Sequence, residues 1–511
     1  MLEVRGLTRR TLIKGTGGSL ALLALAACGA TPAPAATSAP AAATATQAPA
    51  AEATEAPTAA PTATPAGPTP TVESAATQQA ALTAIPTAVA VGYENVELEW
   101  WTAWPDDDSI RRLTAMYGEF EKHYPGIKVK LLAGGPGGGD FNELLLARIA
   151  AGNAPDAAVL WTPPVPFAAR GSLDPIDDLM ATAQYGPPGK WYEPPLNTCK
   201  FRGKIYGLPF SSSDYSMFFN TNWFEELGLP TDRESFPKTW DELRAMSADM
   251  VQWDGDTLKV AGFMPFLTTW IYPVWSGLNG SQWFTSKDEK YLINSPENVE
   301  LMEYWVSWLD EQFKGDIELV ASQGSFGVGE GSLFLQKMTP VEQGGAWETS
   351  YDPIAYETCG FVWDVAKFPV GPSGKASTTA FWPNWFVQPA GGKHRKEAFL
   401  LNEYMCTLGM PIWYAEIFET PTWLDFPREE MLTEALVNNV GEEKARDLQN
   451  FYIDYLDEAT EVWTSPIEDF GTDQINRAID QILHKVATPQ AALDDAQSIS
   501  QTKLEETLQS L

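Results

Sequence analysis

The stretch ELEWWTAWPDDD, residues 97–108, sets three tryptophans behind two glutamates and ahead of three aspartates. Flat indole faces beside short carboxylates suit recognition of a ligand with both apolar faces and hydrogen-bond donors. Further tryptophans fall at Trp161, Trp270, Trp275, Trp347, Trp382 and Trp385, and the chain holds 20 in all against only 3 histidines. Few histidines narrow the acid–base and metal chemistry available, whereas abundant tryptophan favours apolar recognition surfaces.

No GxSxG nucleophile elbow, HExxH zinc pair or CxxC pair occurs. His123 ends a helical stretch, His394 lies in the basic loop GKHRK and His484 is read in a C-terminal helix. None stands beside a candidate nucleophile, and the sequence calls for no cofactor and no metal. The loop GGPGGGD, Gly134–Asp140, lacks the Lys-Ser/Thr of a phosphate cradle, so it reads as a turn with Asp140 capping the next helix. A glycosidase needs only two carboxylates, and 67 acidic residues leave that alternative open without singling out a pair. The net charge of −33 opposes nucleic-acid binding and adsorption to an anionic membrane.

The first residues read as an export signal. Arg9 and Arg10 precede the apolar run Leu20–Ala27, which is far shorter than the roughly 20 residues that span a bilayer. Leu25-Ala26-Ala27-Cys28 has the form of a lipobox, so residues 1–27 form a twin-arginine lipoprotein signal and Cys28 becomes the lipidated first residue. From 28 to 92 the chain is mostly Ala, Pro and Thr, a composition that cannot bury enough apolar surface to fold and makes a tether. Cys199, Cys359 and Cys406 lie far apart in the sequence, and either one disulfide or three free thiols fits them.

The elements that must position the tryptophans follow from about Tyr93. Val96–Trp101 alternates as a strand, Ser109–His123 has apolar residues at helical spacing, and Ile127–Leu132 is a second strand. The helix Phe141–Ala151 and the strand Asp156–Trp161 complete a βαβ pattern, which predicts an α/β fold with a mainly parallel sheet. Asp106–Asp108 favour the following helix through capping and its dipole. Alternation puts Trp100 with Val96 and Leu98 on the core face, and Trp101 and Trp104 where the strand runs out. Trp240 starts a helix, and Trp305 and Trp308 lie on the core side of the helix Asn298–Phe313. Trp270 and Trp275 stand among Pro and Gly, as in an irregular loop. In AFWPNWFVQ, Ala380–Gln388, alternation puts Trp382 and Asn384 on one face and Trp385 on the other.

Five blocks occur in order: FEKHYPGIKVKLL (120–132), AGNAPDAAVLW (151–161), GSLDPIDDLM (171–180), GKIYGLPFSSSDYSMFFNTNWFEELGL (203–229) and PKTWDEL (237–243). With GGAW at 344–347 and PQAALDDAQ at 489–497, they resemble the family 1 extracellular solute-binding proteins of ABC importers, the group of maltose and other sugar binders. The resemblance covers nearly all of residues 95–511. It implies a type II periplasmic-binding-protein-like fold of two α/β lobes joined by a multi-crossing hinge, with ligand in the cleft between them. The lobes would be 93–212 with 378–420 and 213–377 with 421–511, crossing near Pro209–Ser216, Lys375–Phe381 and Phe418–Trp423. In open α/β sheets ligands lie beyond the carboxyl ends of the strands, where Trp101, Trp104 and Trp161 fall.

What the resemblance implies is a tethered, monomeric binding protein that captures a carbohydrate and passes it to the permease of an ABC importer. Trp161 falls where maltose binders keep a stacking tryptophan, Trp347 matches the aromatic of their Gly-x-Trp block, and Trp270 approximates an aromatic of the second lobe. Ser213 takes the hinge position of a glutamate in those proteins. Asp214 beside it could supply a carboxylate, though an extended strand turns it the other way. Pro163-Pro164 replaces a charged pair, which argues against maltose itself. The expected ligand contacts are thus Trp101, Trp104, Asp106, Trp161, Ser213, Asp214, Trp270, Trp275, Trp347, Trp382, Asn384 and Trp385. Trp104→Ala is expected to weaken binding and spare the fold.

Overall fold

The computed structural model describes residues 95–134, 139–267, 271–321, 327–460 and 464–511. The export signal, Cys28, the tether, the capping role of Asp140 and Trp270 therefore lie outside the described residues or side chains.

The N-terminal part follows the expected alternation. Strand β1 (Val96–Thr102) leads to helix α1 (Asp107–His123), β2 (Ile127–Ala133), α2 (Gly139–Ala150) and β3 (Ala157–Leu160). Helix α1 starts there because the carboxylate of Asp106 accepts from Ser109 N at 2.8 Å, while Asp107 and Asp108 sit in its first turn. The central strand is β4 (Gly207–Asn220), and all fourteen of its residues are buried. Helix α3 (Trp240–Met250) opens on a capping box between Thr239 and Glu242; α4 (Tyr272–Leu278) and α5 (Pro296–Gln312) follow. Strands β5 (Val341–Gly345), β6 (Trp363–Ala366) and β7 (Phe381–Val387) come next, then α6 (Arg395–Cys406), α7 (Met410–Glu416), β8 (Thr420–Pro421), α8 (Glu442–Leu456), α9 (Glu468–Leu483) and α10 (Pro489–Ser510).

These eight strands form one hydrogen-bonded sheet with the path β5-β4-β7-β3-β1-β2, and β6 and β8 also pair with β4. The sheet is mixed, which corrects the expectation of a mainly parallel one. Only the βαβ-linked strands β1, β2 and β3 run parallel; β7 is antiparallel to β3 and β4, as are β5, β6 and β8 to β4. The antiparallel strands arrive from long excursions of the chain and not through single crossover helices, so nothing fixes them parallel.

Along β4 the partners change. Residues 207–214 pair with β7, the last of them as Phe381 opposite Asp214, whereas Gly345 of β5 lies opposite Tyr215. Thr379 holds that change of partners: its hydroxyl accepts from Tyr215 N at 2.9 Å and donates to Tyr215 O at 2.8 Å. One apolar cluster joins Leu98, Trp100, Leu113, Phe120, Phe210 and Trp413, continuing to Trp363 and Tyr452. A second, around Trp101, Phe141, Leu145, Leu160 and Trp385, includes α2. A third gathers Met217, Phe219, Trp240, Trp275, Trp305, Trp308, Ile479 and Leu493. No described helix is long and apolar enough to cross a membrane.

Candidate ligand-binding site

The first wall of the site is aromatic. Past the carboxyl end of β1, Trp104 lies with its ring centroid 6.4 Å from Trp161, 4.9 Å from Trp413 and 6.3 Å from Phe210. Trp161 directly follows β3 and is half-buried, and its carbonyl accepts from Trp382 Nε1 at 3.0 Å. Polar groups continue from this edge. Asn384 Nδ2 donates to Ser211 Oγ at 3.4 Å, and Ser211 Oγ donates to Glu419 Oε2 at 2.9 Å. Trp413 Nε1 gives a second hydrogen bond to the same oxygen, also at 2.9 Å. The buried hydroxyl of Ser213 lies beside that carboxyl and acts on it. Over the Trp413 ring, 5.8 Å from its centroid, stands the guanidinium of Arg112, which is engaged by Glu416 at 2.9 Å.

The second wall comes from the turn after β5. Gly344 and Gly345 are required by close approach: a Cβ on Gly344 would strike the carboxylate of Glu348, and one on Gly345 would strike the ring of Trp347. Glu348 reaches back to accept from Gly345 N at 3.0 Å, closing the turn. This leaves Trp347 half-buried and edge-on to Tyr215, with centroids 5.4 Å apart and planes at 83°. Tyr215 sits on β4 where the pairing changes, so the strand that carries Ser211 and Ser213 also carries the contact to this wall.

The structure separates the sequence-predicted residues. It brings together Trp104, Trp161, Ser213, Trp382, Asn384 and, across β4, Trp347. Trp101 is corrected to a covered position: it is 9% exposed, packs on Phe141, and has the Arg148 guanidinium 4.6 Å above its ring. Helix α2 lies over that face of the strand end, which the sequence pattern alone did not show. Trp275 is not in a loop but in α4, fully buried against Trp240, Phe263 and Trp305, with Nε1 bound to Gln343 Oε1 at 2.9 Å. Trp385 is fully buried and donates to Thr198 Oγ1 at 2.7 Å.

The expected opposition of Trp382 and Trp385 is also corrected. Their centroids lie 6.1 Å apart, because the pairing of β7 with β4 slips between Pro383 and Trp385. Proline cannot donate to the ladder, and a bulge at that point re-aims the residues that follow. Asp106 is exposed and occupied as the α1 cap. Asp214 is fully buried, acts on the phenols of Tyr452 and Tyr455, and has neither carboxyl oxygen hydrogen-bonded. Trp104 itself is only 8% exposed, so truncating it would open a cavity. The expectation that Trp104→Ala spares the fold is corrected accordingly.

Sequence reasoning missed the carboxylate of the Ser213 face. It is Glu419, from the stretch Phe418–Trp423, delivered by the short strand β8 that pairs Thr420 with Ser212. Trp413, Ser211, Tyr215 and Glu348 were missed with it. The usable signal was the crossing itself, since a charged residue inside a buried crossing needs polar partners.

Burial dominates the electrostatics. Loss of solvation lifts Glu348 to about 7 and Glu342, on β5, to about 8, with the two carboxyls repelling each other. The same cause raises Glu419, and raises Asp214 well above the ordinary carboxylate range. These acids sit where strands from different parts of the chain converge.

The candidate site thus combines an aromatic set, convergent polar groups and a strand shared between two sets of partners. Residues 106–407, more than half of the chain, match the family described as bacterial extracellular solute-binding protein, and the chain belongs to that family. A Brucella abortus (strain 2308) protein described as a binding protein is 23% identical over 307 residues, which are 58% of this chain and 68% of that protein. Among solved structures, CpMnBP1 with mannobiose bound gives a TM-score of 0.66 at 21% identity, covering 79% of this chain and 99% of the other. The maltose/maltodextrin-binding domain MalE from Bdellovibrio bacteriovorus, bound to maltotriose, gives 0.62 at 17% identity over 80% and 100%. The fold is that of the type II periplasmic binding proteins.

Proposed function

We propose that this protein is a lipid-anchored, extracytoplasmic receptor that captures a carbohydrate between two lobes and delivers it to the permease of an ABC importer. The observation that carries this reading is the convergence of half-buried Trp161, Trp382 and Trp347 around the polar set Ser211, Ser213, Asn384 and Glu419. Aromatic faces stack on sugar C–H surfaces, and hydroxyls find acceptors and donors at the edge. Bound mannobiose and maltotriose in the two structural neighbours support the sugar class. The lobes divide along β4 between Asp214 and Tyr215, and the proposed motion is a rotation about that strand and the segments near Thr379 and Glu419. Closure requires that the ligand bind the closed state more tightly than the open one. Cys28 holds the lipid, the tether spaces the monomer from the membrane, and catalysis is not part of the role.

A thermal-shift screen of the full chain against mono-, di- and oligosaccharides, polyols, peptides and metal complexes tests the proposal. A ligand at a hundred times its Kd stabilises by about 2.7 kcal/mol, enough to move the melting temperature by a few degrees. A peptide or metal complex that shifts it while no carbohydrate does would sink the proposal. Consumption of a sugar during the assay would replace it with the glycosidase reading.

A further inference from the structure

Two side chains far apart in the sequence meet at the solvent edge of the molecule: Arg170 Nη1 stands 3.6 Å from Asp469 Oδ2. Arg170 ends the short helix Val165–Ala169, which follows β3 and Trp161. Through Phe167 that helix belongs to the apolar cluster of Trp101 and Trp385. Asp469 sits in the first turn of α9, whose Ile475 and Ile479 belong instead to the cluster of Trp240 and Trp275. The pair therefore joins elements built on different cores, one in each of the two lobes proposed above. One turn along α9, Asp473 adds a second exposed acid, which feels both Asp469 and Glu143 of α2. Acids thus face each other across this boundary, and the Arg170 guanidinium supplies a positive charge between them.

We infer that Arg170 and Asp469 form a latch between the lobes: their ion pair holds the closed arrangement and slows the release of ligand. The inference rests on the two-lobe reading and adds a device to it. Arg170 is a positioning residue, acting through the lobes and not on the ligand. A rotation about β4 that parts the lobes carries the helix Val165–Ala169 away from α9 and breaks the pair. Its energy then belongs to the closed state alone, which is the kind of difference that closure needs. The side chains are 39% and 38% exposed, so the pair favours closure only about two- to fivefold. An acid at position 170 would replace that attraction by repulsion from Asp469 and Asp473, a larger effect of opposite sign.

The first test needs no ligand. Pulsed electron paramagnetic resonance on the full chain measures the distance between nitroxides on Lys122→Cys of α1 and Lys503→Cys of α10, with Cys28 and Cys359 changed to Ser. Both lysines are exposed, and Cys199 and Cys406 are buried. Arg170→Glu should move population from shorter to longer distances, and Arg170→Glu combined with Asp469→Arg should return it. A distribution that Arg170→Glu leaves unchanged, or one that the charge swap fails to restore, would overturn the latch. The second test is stopped-flow tryptophan fluorescence with malto-, cello- and manno-oligosaccharides of two to four sugars. Arg170→Gln should speed release of a bound sugar about two- to fivefold, and Asp469→Asn combined with it should add little. Release rates that multiply as if the two residues were independent would overturn the role in retention. If none of these sugars binds, the carbohydrate reading fails, while the distance measurement still decides the latch.

Discussion

Replacing Glu342 with Gln should stabilise this protein at alkaline pH and leave it nearly unchanged at pH 5. Glu342 is 2% exposed in β5, and its Oε1 accepts from Gln343 N at 3.0 Å. Burial raises its carboxyl from 4.5 to about 8, so the folded chain keeps a proton that the unfolded chain has released. Where the folded state binds more protons, stability falls as pH rises, here through the window from about 4.5 to about 8. At pH 7.5 the unfolded carboxyl is ionised by about three pH units, equivalent to ~4 kcal/mol against folding at about 1.36 kcal/mol each. Relaxation around the site discounts this to an order of 2–4 kcal/mol. Gln keeps the acceptor and has no proton to lose, so the variant escapes the cost. Urea denaturation of both proteins at pH 5 and pH 7.5 measures the double difference. The chain's large negative charge weakens both proteins as pH rises and cancels between them. A variant that changes stability equally at the two pH values would refute the argument.

Other substitutions separate the core from the site. Trp275→Ala should destabilise by about 3–5 kcal/mol, since it empties a fully buried indole site and strands Gln343, and thermal unfolding reads this directly. Trp161→Ala, at a half-buried ring, should cost about 1 kcal/mol or less in stability and weaken a bound sugar about tenfold or more by titration. Gly345→Ala should destabilise by about 1–3 kcal/mol, because Trp347 must leave its place on Tyr215, and quenching of tryptophan emission by ligand should fall with it. Thr379→Val keeps the shape but leaves both backbone groups of Tyr215 without their partner, and a loss of about 1–3 kcal/mol in urea unfolding is expected.

Local physics made the first third of the folded chain legible. Strand β1 shows the alternation read from the sequence, α1 starts at the cap supplied by Asp106, and Trp240 begins α3 behind a Thr239–Glu242 capping box. Signals of this kind act within a few residues, so sequence distance does not blur them. The site residues that escaped depend on partners far along the chain. Trp101 stands at a strand end as expected, yet Arg148 of α2, 47 positions later, covers its ring. Glu419 meets Ser211, 208 positions away, only because β8 returns to pair with β4. No periodicity encodes such meetings.

The stretch FSSSDYSMFF shows why the same strand was both recognisable and misleading. Four serines and an aspartate make a poor strand by propensity, yet residues 210–219 are buried throughout, because β7 and β8 pair with one half and β5 and β6 with the other. Small hydroxyl side chains leave room at the point where two sets of partners meet. Their polarity is answered unevenly: Ser211 binds Glu419 and Ser216 binds Tyr452, whereas the Ser212 hydroxyl and the Asp214 carboxyl find no side-chain partner. Unsatisfied buried groups cost about 1–3 kcal/mol each, so a strand optimised for stability alone would carry valine there. The departure from local preference falls within the three residues before the pairing changes, on the strand that carries Ser211, Ser213 and Tyr215 into the candidate site. Conflict between local propensity and global burial is expected where a fold serves function. In this chain that conflict marks the candidate site more sharply than the count of tryptophans does, since fully buried Trp275 and Trp385 belong to the core.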